Sequence, residues 1–387
     1  MNITEIKEKS LKLHEQWQGK IEVCARVNIT NSEDLSLAYT PGVAEPCKAI
    51  EKNKDLSYVY TRRSNLVAVI TDGTAVLGLG DIGPEAAMPV MEGKCLLFKT
   101  FGNVDAFPLC LRTKDTDEIV RTISLLCGSF GGINLEDISA PRCFEIERRL
   151  KEICDIPVFH DDQHGTAIVV GAALINALKV VNKSINSIKV VINGAGAAGI
   201  SIAKFLLRMG VNDMLVCDKF GIISKNSKDL NSSHTAIANC TNFNCINGDL
   251  SVAMKNADVF IGVSAPNCVT HDMVKSMNSN AIVFPLANPV SEITRDDAIN
   301  SGAAVVGTGS SANPNQINNV LVFPGLFRGA LDARAKDITI EMMLAASFAI
   351  ADCVSSDKLS NDFIIPYAFD KSVHLAVANA VAKASKT

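Results

Sequence analysis

At 387 residues, 48% of them hydrophobic and 20% charged, the chain is long enough for two domains and has the composition of an ordinary globular protein. A formal net charge of −4, with no cluster of Lys and Arg, offers nothing to nucleic acid. The N-terminal residues show no basic-then-apolar signal pattern, and the longest apolar run, 168–181, is broken by Asn176 and Lys179. The expectation is a cytoplasmic protein that handles small molecules away from the membrane.

The first part of the chain reads as mixed structure. A short buried strand is predicted over 66–71, ending in a turn at Asp72-Gly73. Helices follow over 84–98, with Pro84 near the start, over 118–127, stopping at Gly128, and over 141–150, with Pro141 in the first turn. From Thr166 onward helix and strand alternate. A helix is expected over 166–181, a strand over 188–193, and a glycine loop opening a helix that runs through Met209. Further strands are expected over 214–217, 259–263, 281–284 and 303–307. Continuous apolar strands separated by helices indicate a parallel sheet covered on both faces. The fold class is therefore α/β: a Rossmann-type doubly wound sheet over 161–325 beside an α/β substrate and metal domain over 1–160. The helical segment 326–387 is expected to return to the first domain. The twelve cysteines contain no Cys-x-x-Cys pair and mostly sit in apolar contexts, which favours reduced thiols over disulfides or structural zinc.

The chemistry concentrates in Phe159-His160-Asp161-Asp162-Gln163-His164-Gly165-Thr166, where two carboxylates and two imidazoles lie between apolar stretches. Charged groups survive such surroundings when paired or bound to a metal. With Glu136-Asp137 upstream they make an all-oxygen set suited to Mg²⁺ or Mn²⁺. A zinc site from His160, Asp162 and His164 is the alternative, and solvated or ion-paired turns are the structural one. Lys94 lies in an apolar helical stretch. It either snorkels to solvent or is buried for function, where burial and a nearby cation would both lower its pKa and free a neutral amine. Tyr39 precedes the Pro41-Gly42 turn and can equally be an ordinary packed ring.

Gly194-Ala195-Gly196-Ala197-Ala198-Gly199 follows a predicted strand and opens a helix, and Asp218 ends the next strand. That is the setting in which Gly-x-Gly-x-x-Gly binds a dinucleotide. Gly194 allows the tight turn, Gly196 the approach of the pyrophosphate and Gly199 the helix–strand packing, while Ala197 and Ala198 open the helix toward the phosphates. Asp218 can accept the adenosine ribose hydroxyls, which favours NAD. Lys219, Lys225 and Lys228 are near enough in sequence to admit NADP.

Taken together, the chain resembles the malic enzymes of the compact prokaryotic type. The motifs that carry the resemblance are Leu37-Ala38-Tyr39-Thr40-Pro41-Gly42-Val43-Ala44, Thr71-Asp72-Gly73-Thr74-Ala75-Val76-Leu77-Gly78, Asn134-Leu135-Glu136-Asp137 and Phe159 to Thr166. They continue with the glycine loop, Ala287-Asn288-Pro289 and Asn318-Asn319-Val320-Leu321-Val322-Phe323-Pro324-Gly325. The resemblance implies metal ligands at Glu136, Asp137 and Asp162, with Asp161 beside them. It implies Lys94 as general base and Tyr39 as general acid, Asn288 and Asn319 against the substrate, and Asn288 also near the cofactor. It further implies oxidative decarboxylation of malate to pyruvate with NAD or NADP, and a homodimer. One departure stands out. Longer members of the family grip a substrate carboxylate with an arginine in the Thr-Asp-Gly motif, and this chain has Ala75 there. The competing readings are a metal-independent 2-hydroxyacid dehydrogenase, which would not need the three carboxylates, and an oxaloacetate decarboxylase, which would not need the glycine loop.

Overall fold

The computed structural model describes residues 3–386. Four helices open the chain, α1 (Ile3–Trp17), α2 (Ser32–Ala38), α3 (Ala44–Lys52) and α4 (Ser57–Tyr60), and α2 to α4 contain no buried residue. The first sheet is built from β1 (Leu66–Thr71), β2 (Asp105–Cys110), β3 (Gly132–Leu135) and β4 (Val158–His160) in the order β2-β1-β3-β4, all parallel. Its strands are linked by α5 (Pro84–Gly102), α6 (Thr116–Leu126) and α7 (Arg142–Ile153). Parallel pairing requires such crossovers, and they cover the sheet faces. Of these strands only β1 is foreseen from sequence. The others are short and interrupted by Pro108, Gly132 or the charged ends at Asp105 and His160, so no clear period-2 signal survives. The helices run longer than expected. α5 continues to Gly102 and closes on Asn103 in the left-handed conformation, and α6 begins two residues early because Asp115 caps it.

The next helix, α8 (Asp161–Val181), starts well before the expected Thr166. The acidic pair thus forms its first turn instead of a preceding loop. Carboxylates there complement the positive end of the helix dipole. At 21 residues α8 is long and apolar enough to cross a membrane by composition, but 72% of the relevant window is buried inside the protein, so it is a core helix.

The second sheet holds β5 (Lys189–Asn193), β6 (Asp213–Asp218), β7 (Gly221–Ile222), β8 (Val259–Gly262), β9 (Ala281–Pro285) and β10 (Ala303–Val306), in the order β10-β9-β8-β5-β6-β7. Every pairing is parallel except β6 with β7. Helix α9 (Ala197–Met209) joins β5 to β6. The short helices α10 (Ser232–Ala238), α11 (Leu250–Met254), α12 (His271–Lys275) and α13 (Arg295–Asn300) serve the later connections. Renumbered from β5, the strand order is the 3-2-1-4-5-6 winding of dinucleotide-binding sheets, with a two-residue antiparallel hairpin replacing the usual third strand. The order reverses between β5 and β8, and the crevice for a ligand opens there.

Three helices end the chain, α14 (Phe323–Asp332), α15 (Ile340–Asp352) and α16 (Lys371–Ala384). α14 packs on α5 and α16, and α15 packs on α8. The junction with α5 is aromatic, with the Phe98 ring 4.7 Å from Phe323 and 5.2 Å from Phe327. One hydrophobic core therefore runs from Val69 of β1 through Leu174 of α8 to Ile192 of β5 and Val377 of α16.

Candidate active site

Register places the acidic residues. Ile70 of β1 is level with Leu135 of β3, and Leu135 is level with His160 of β4. The residues that follow, Thr71, Glu136 and Asp161, therefore leave the sheet side by side at its carboxyl edge, where parallel sheets bind ligands. Asp137 turns away with φ +54°, and its amide donates to Asp162 Oδ2 at 2.8 Å. Carboxylate oxygens of Glu136, Asp137 and Asp162 lie within 4.8 Å of one another, and no histidine or cysteine joins them among the described residues.

Lys94 reaches this edge from α5 and is buried. Its ammonium donates to Asp161 Oδ2 at 2.7 Å, lies 3.0 Å from Glu136 Oε1 and sits 4.2 Å from the centre of the Phe323 ring. Burial works to lower its pKa, as expected from sequence. The Asp161 and Glu136 carboxylates overcome that effect and hold the amine above its ordinary value. The neutral amine expected from sequence depends on a nearby cation as well as on burial; without one, the two facing carboxylates favour the ammonium. Asn319 also donates to Asp161 Oδ2, and Asn134 donates to Glu136 Oε2 at 2.8 Å. Gly165 is required for space, because a Cβ there would stand 2.0 Å from Asp161 Oδ1.

The electrostatics leave the three-carboxylate group short of positive charge. Burial, reinforced by the neighbouring carboxylates, holds Glu136 well above the usual range and pushes Asp137 up to about 7. Asp162 is held below its ordinary value despite burial, because His160 Nε2 lies 3.1 Å from its Oδ2. Asp137 Oδ2 and Asp161 Oδ1 are buried without a hydrogen-bond partner.

The two imidazoles do not form a zinc site. His160 Nδ1 meets Gln163 Nε2 at 2.9 Å, and His164 Nε2 meets both oxygens of buried Glu147 at 2.9 Å. Gln163 also donates to Glu147 at 3.1 Å and accepts from Ser201 of α9 at 3.3 Å. This buried network orients Asp162 and ties its turn of α8 to the helix that follows the glycine loop. The roles of Asn134 on β3 and of Glu147, Gln163 and Ser201 on helices were not foreseen from sequence, since single polar residues carry no signal until their burial is known.

The glycine loop lies at the carboxyl end of β5. Gly194 has φ +115°, and a Cβ there would meet Val263 O at 2.4 Å; one on Gly199 would meet Gly194 O at 1.7 Å. Gly196 faces open space. Ala197 and Ala198 form the first turn of α9. Asp218, at the end of β6, accepts the Phe220 amide at 2.7 Å, and its other oxygen lies 4.0 Å from His234 Nδ1. A cavity of about 890 Å³ joins Gly194, Gly196, Asp218 and Lys219 to Pro141 and Phe144 at the start of α7. Lys228 and Asp218 share an adjoining cavity of about 630 Å³, while Lys225 is exposed and lines neither.

Two expected site residues stand apart. Tyr39 is 66% exposed, and its hydroxyl has no partner among the described residues. Asn288 is exposed, with its side chain on its own loop at Leu286 O, although its backbone lies against Gly78 of the Thr-Asp-Gly motif. Arg142 lies beside that motif, but its guanidinium is already committed to Asp72 at 2.8 Å, Thr74 and Ser139. The thiols are less uniformly buried than expected: of the twelve, Cys95, Cys127, Cys143 and Cys217 are buried and Cys24, Cys47 and Cys240 are exposed.

Residues 18–151 match the malic enzyme N-terminal domain and residues 163–386 the malic enzyme NAD binding domain. The chain belongs to the malic enzyme family. It is 57% identical to the bifunctional malic/malolactic enzyme of Bacillus subtilis (strain 168), over 98% of this chain and 93% of that protein. It is 51% identical to the NAD-dependent malic enzyme of Geobacillus stearothermophilus, over 100% of this chain and 80% of that one. Among solved structures, the NAD-dependent malic enzyme of Thermotoga maritima superposes with a TM-score of 0.93 at 49% identity, covering 96% of this chain and 98% of that one. The malic enzyme of Pyrococcus horikoshii Ot3 gives 0.95 at 46% identity, covering 98% and 90%. A malic enzyme contains both features that the competing readings would leave idle, the carboxylate group and the glycine loop.

Proposed function

We propose that the chain oxidises (S)-malate and decarboxylates it to pyruvate and CO₂, passing hydride to NAD or NADP with a divalent cation present. The observation that carries this reading is a buried lysine paired to Glu136 and Asp161 beside a three-carboxylate group at the ends of β3 and β4. In this reading residues 1–160 and 326–387 form the substrate and catalytic unit, and 161–325 the nucleotide unit.

The residues fit a cation. Three all-oxygen ligands within reach of one another, two of them held up by burial and mutual repulsion, suit Mg²⁺ or Mn²⁺. Glu136, Asp137 and Asp162 would hold it, and its chemistry there is to polarise the C2 oxygen of the substrate. The glycine loop and Asp218 would hold the nucleotide, which supplies the hydride acceptor. Asp218 in the cavity supports NAD, while Lys219 and Lys228 near it leave room for the 2′-phosphate of NADP.

This chain's own groups then do the proton work. Once the charge of Glu136 is committed to a cation, Asp161 alone retains the proton on Lys94, and the amine becomes able to take the C2 hydroxyl proton. Asn319, bonded to the same Asp161 oxygen, would contact the substrate in this reading. Tyr39 is the proton donor to C3 in this reading. Segment 23–60 exposes Val23, Val27, Ile29, Leu37 and Tyr60 along with Tyr39, apolar surface that a second copy would cover. The working form is therefore a homodimer, with the ring of Tyr39 placed by assembly. The location is cytoplasmic.

Partial reactions test the assignment. Lys94→Ala should depress malate oxidation by about 100- to 10,000-fold. Tyr39→Phe should spare hydride transfer relative to tautomerisation of enolpyruvate. Tautomerisation at the wild-type rate in Tyr39→Phe would remove Tyr39 from the mechanism.

A further inference from the structure

Cys127 and Cys154 have no part in the reaction, yet their sulfurs lie 2.8 Å apart. Cys127 opens the single 3₁₀ turn Cys127–Ser129 after α6, and Cys154 caps α7, so two separate helix ends bring the thiols face to face. A disulfide bond is about 2.05 Å long, so closing this one needs a movement of less than about 1 Å. No other two cysteine sulfurs make such a contact among the described residues. The two thiols also differ in access: Cys127 is buried, and Cys154 is half-buried beside the exposed Asp155.

We propose that Cys127 and Cys154 are a redox-modification site that closes to an intrachain disulfide by exchange with a small-molecule disulfide of the glutathione type. The thiolate of Cys154 attacks one sulfur of the oxidant RSSR, whose S–S bond breaks and releases one RS⁻. The thiolate of Cys127 then attacks the Cys154 sulfur of this mixed disulfide and expels the second RS⁻. Two cysteine thiols are oxidised, RSSR is reduced to two RSH, and the two cysteine protons end on those products. The order follows from access, and the thiol of Cys127 pointing at Cys154 assists by holding the Cys154 pKa below its ordinary value.

The position gives the bond its consequence. Cys127 leads through Phe130 into β3, and Cys154 through Pro157 into β4. The bond would tie together the entry ends of the two strands whose exit ends carry Glu136, Asp137, Asp161 and Asp162. A cross-link between elements well separated in sequence stabilises the fold.

The full-length protein, equilibrated with oxidised glutathione and then alkylated, provides the test. The wild type should yield one peptide joining Cys127 to Cys154, unfold at a higher temperature than the reduced protein, and revert with dithiothreitol. Cys127→Ser should stop at a glutathione adduct on Cys154, and Cys154→Ser should form neither adduct nor cross-link at this site. Full alkylation of both cysteines in the oxidised wild type would overturn the proposal. So would a cross-link between other cysteines, or an adduct that accumulates on Cys127 when Cys154 is absent.

Discussion

Three carboxylates, two buried and one half-buried, share a site with one buried lysine, and each residue's behaviour follows from that imbalance. Glu136→Gln and Asp162→Asn should each cost at least about 100-fold in turnover and raise the Mn²⁺ concentration needed, since even groups supporting a ligand are commonly worth 10- to 100-fold. Nucleotide binding, followed by cofactor fluorescence, should be unchanged because the glycine loop is untouched. Asp137 and Glu136, both raised by burial and neighbouring carboxylates, contribute to the pH dependence. The Asp137 carboxyl is raised to about 7, so in the cation-free protein its stabilising contribution is present below its ordinary value of 3.8 and is lost as pH rises through about 7. Binding a cation must displace that proton. Titration calorimetry with Mn²⁺ should therefore show affinity falling as pH drops below about 7, by up to about tenfold per pH unit for one proton. An Mn²⁺ affinity constant between pH 8 and pH 5.5 would show that Asp137 is not a ligand. In the nucleotide crevice, Asp218→Ala should weaken NAD much more than NADP, because it removes a ribose hydrogen bond from one and a repulsion from the other. Equal losses would mean that Asp218 does not face the ribose.

At the scale of the element, the first turn of α8 carries the most chemistry in the fewest residues. Asp161 binds Lys94 and Asn319, Asp162 joins the carboxylate group, and Gln163 and His164 hold Glu147. Gly165 leaves the space that lets them converge. Gly165→Ala should disturb Asp161, with a large fall in malate oxidation while the far-UV circular dichroism stays native; a turnover near wild type would show that Asp161 can shift without consequence. The sequence foretold the acidic pairs, the glycine loop and every strand of the second sheet but β7, because those strands are continuous apolar runs between turn signals. It did not foretell β2, β3 or β4, which are short and carry Pro, Gly or charge, nor the early start of α8. The Asp161-Asp162 pair looks like a loop until its fit to the positive end of a helix dipole is considered. The carboxylates that oppose loss of the Lys94 proton were hidden for a related reason: burial can be read from an apolar neighbourhood, but carboxylates arriving from β3 and α8 cannot.

Over the whole molecule, one continuous core joins the two sheets through α8, and the glycine-loop cavity reaches Pro141 and Phe144 of the first sheet's connection. The glycine loop and the carboxylate group thus lie at the carboxyl ends of strands in two sheets, joined by a helix with the acidic pair at its start. The exposed apolar side chains of segment 23–60 predict that sedimentation equilibrium finds twice the mass of one chain, and a monomer at micromolar concentration would remove the homodimer from the account. The most direct test of the central claim is reduction of NAD and of NADP by (S)-malate, monitored at the absorbance of the reduced nicotinamide after treatment with a chelator and again after Mg²⁺ or Mn²⁺ is restored. The account predicts negligible turnover without the cation, recovery on restoring it, and pyruvate formed in step with the reduced cofactor. Undiminished turnover in the chelated protein, or reduced cofactor accumulating without pyruvate, would contradict it.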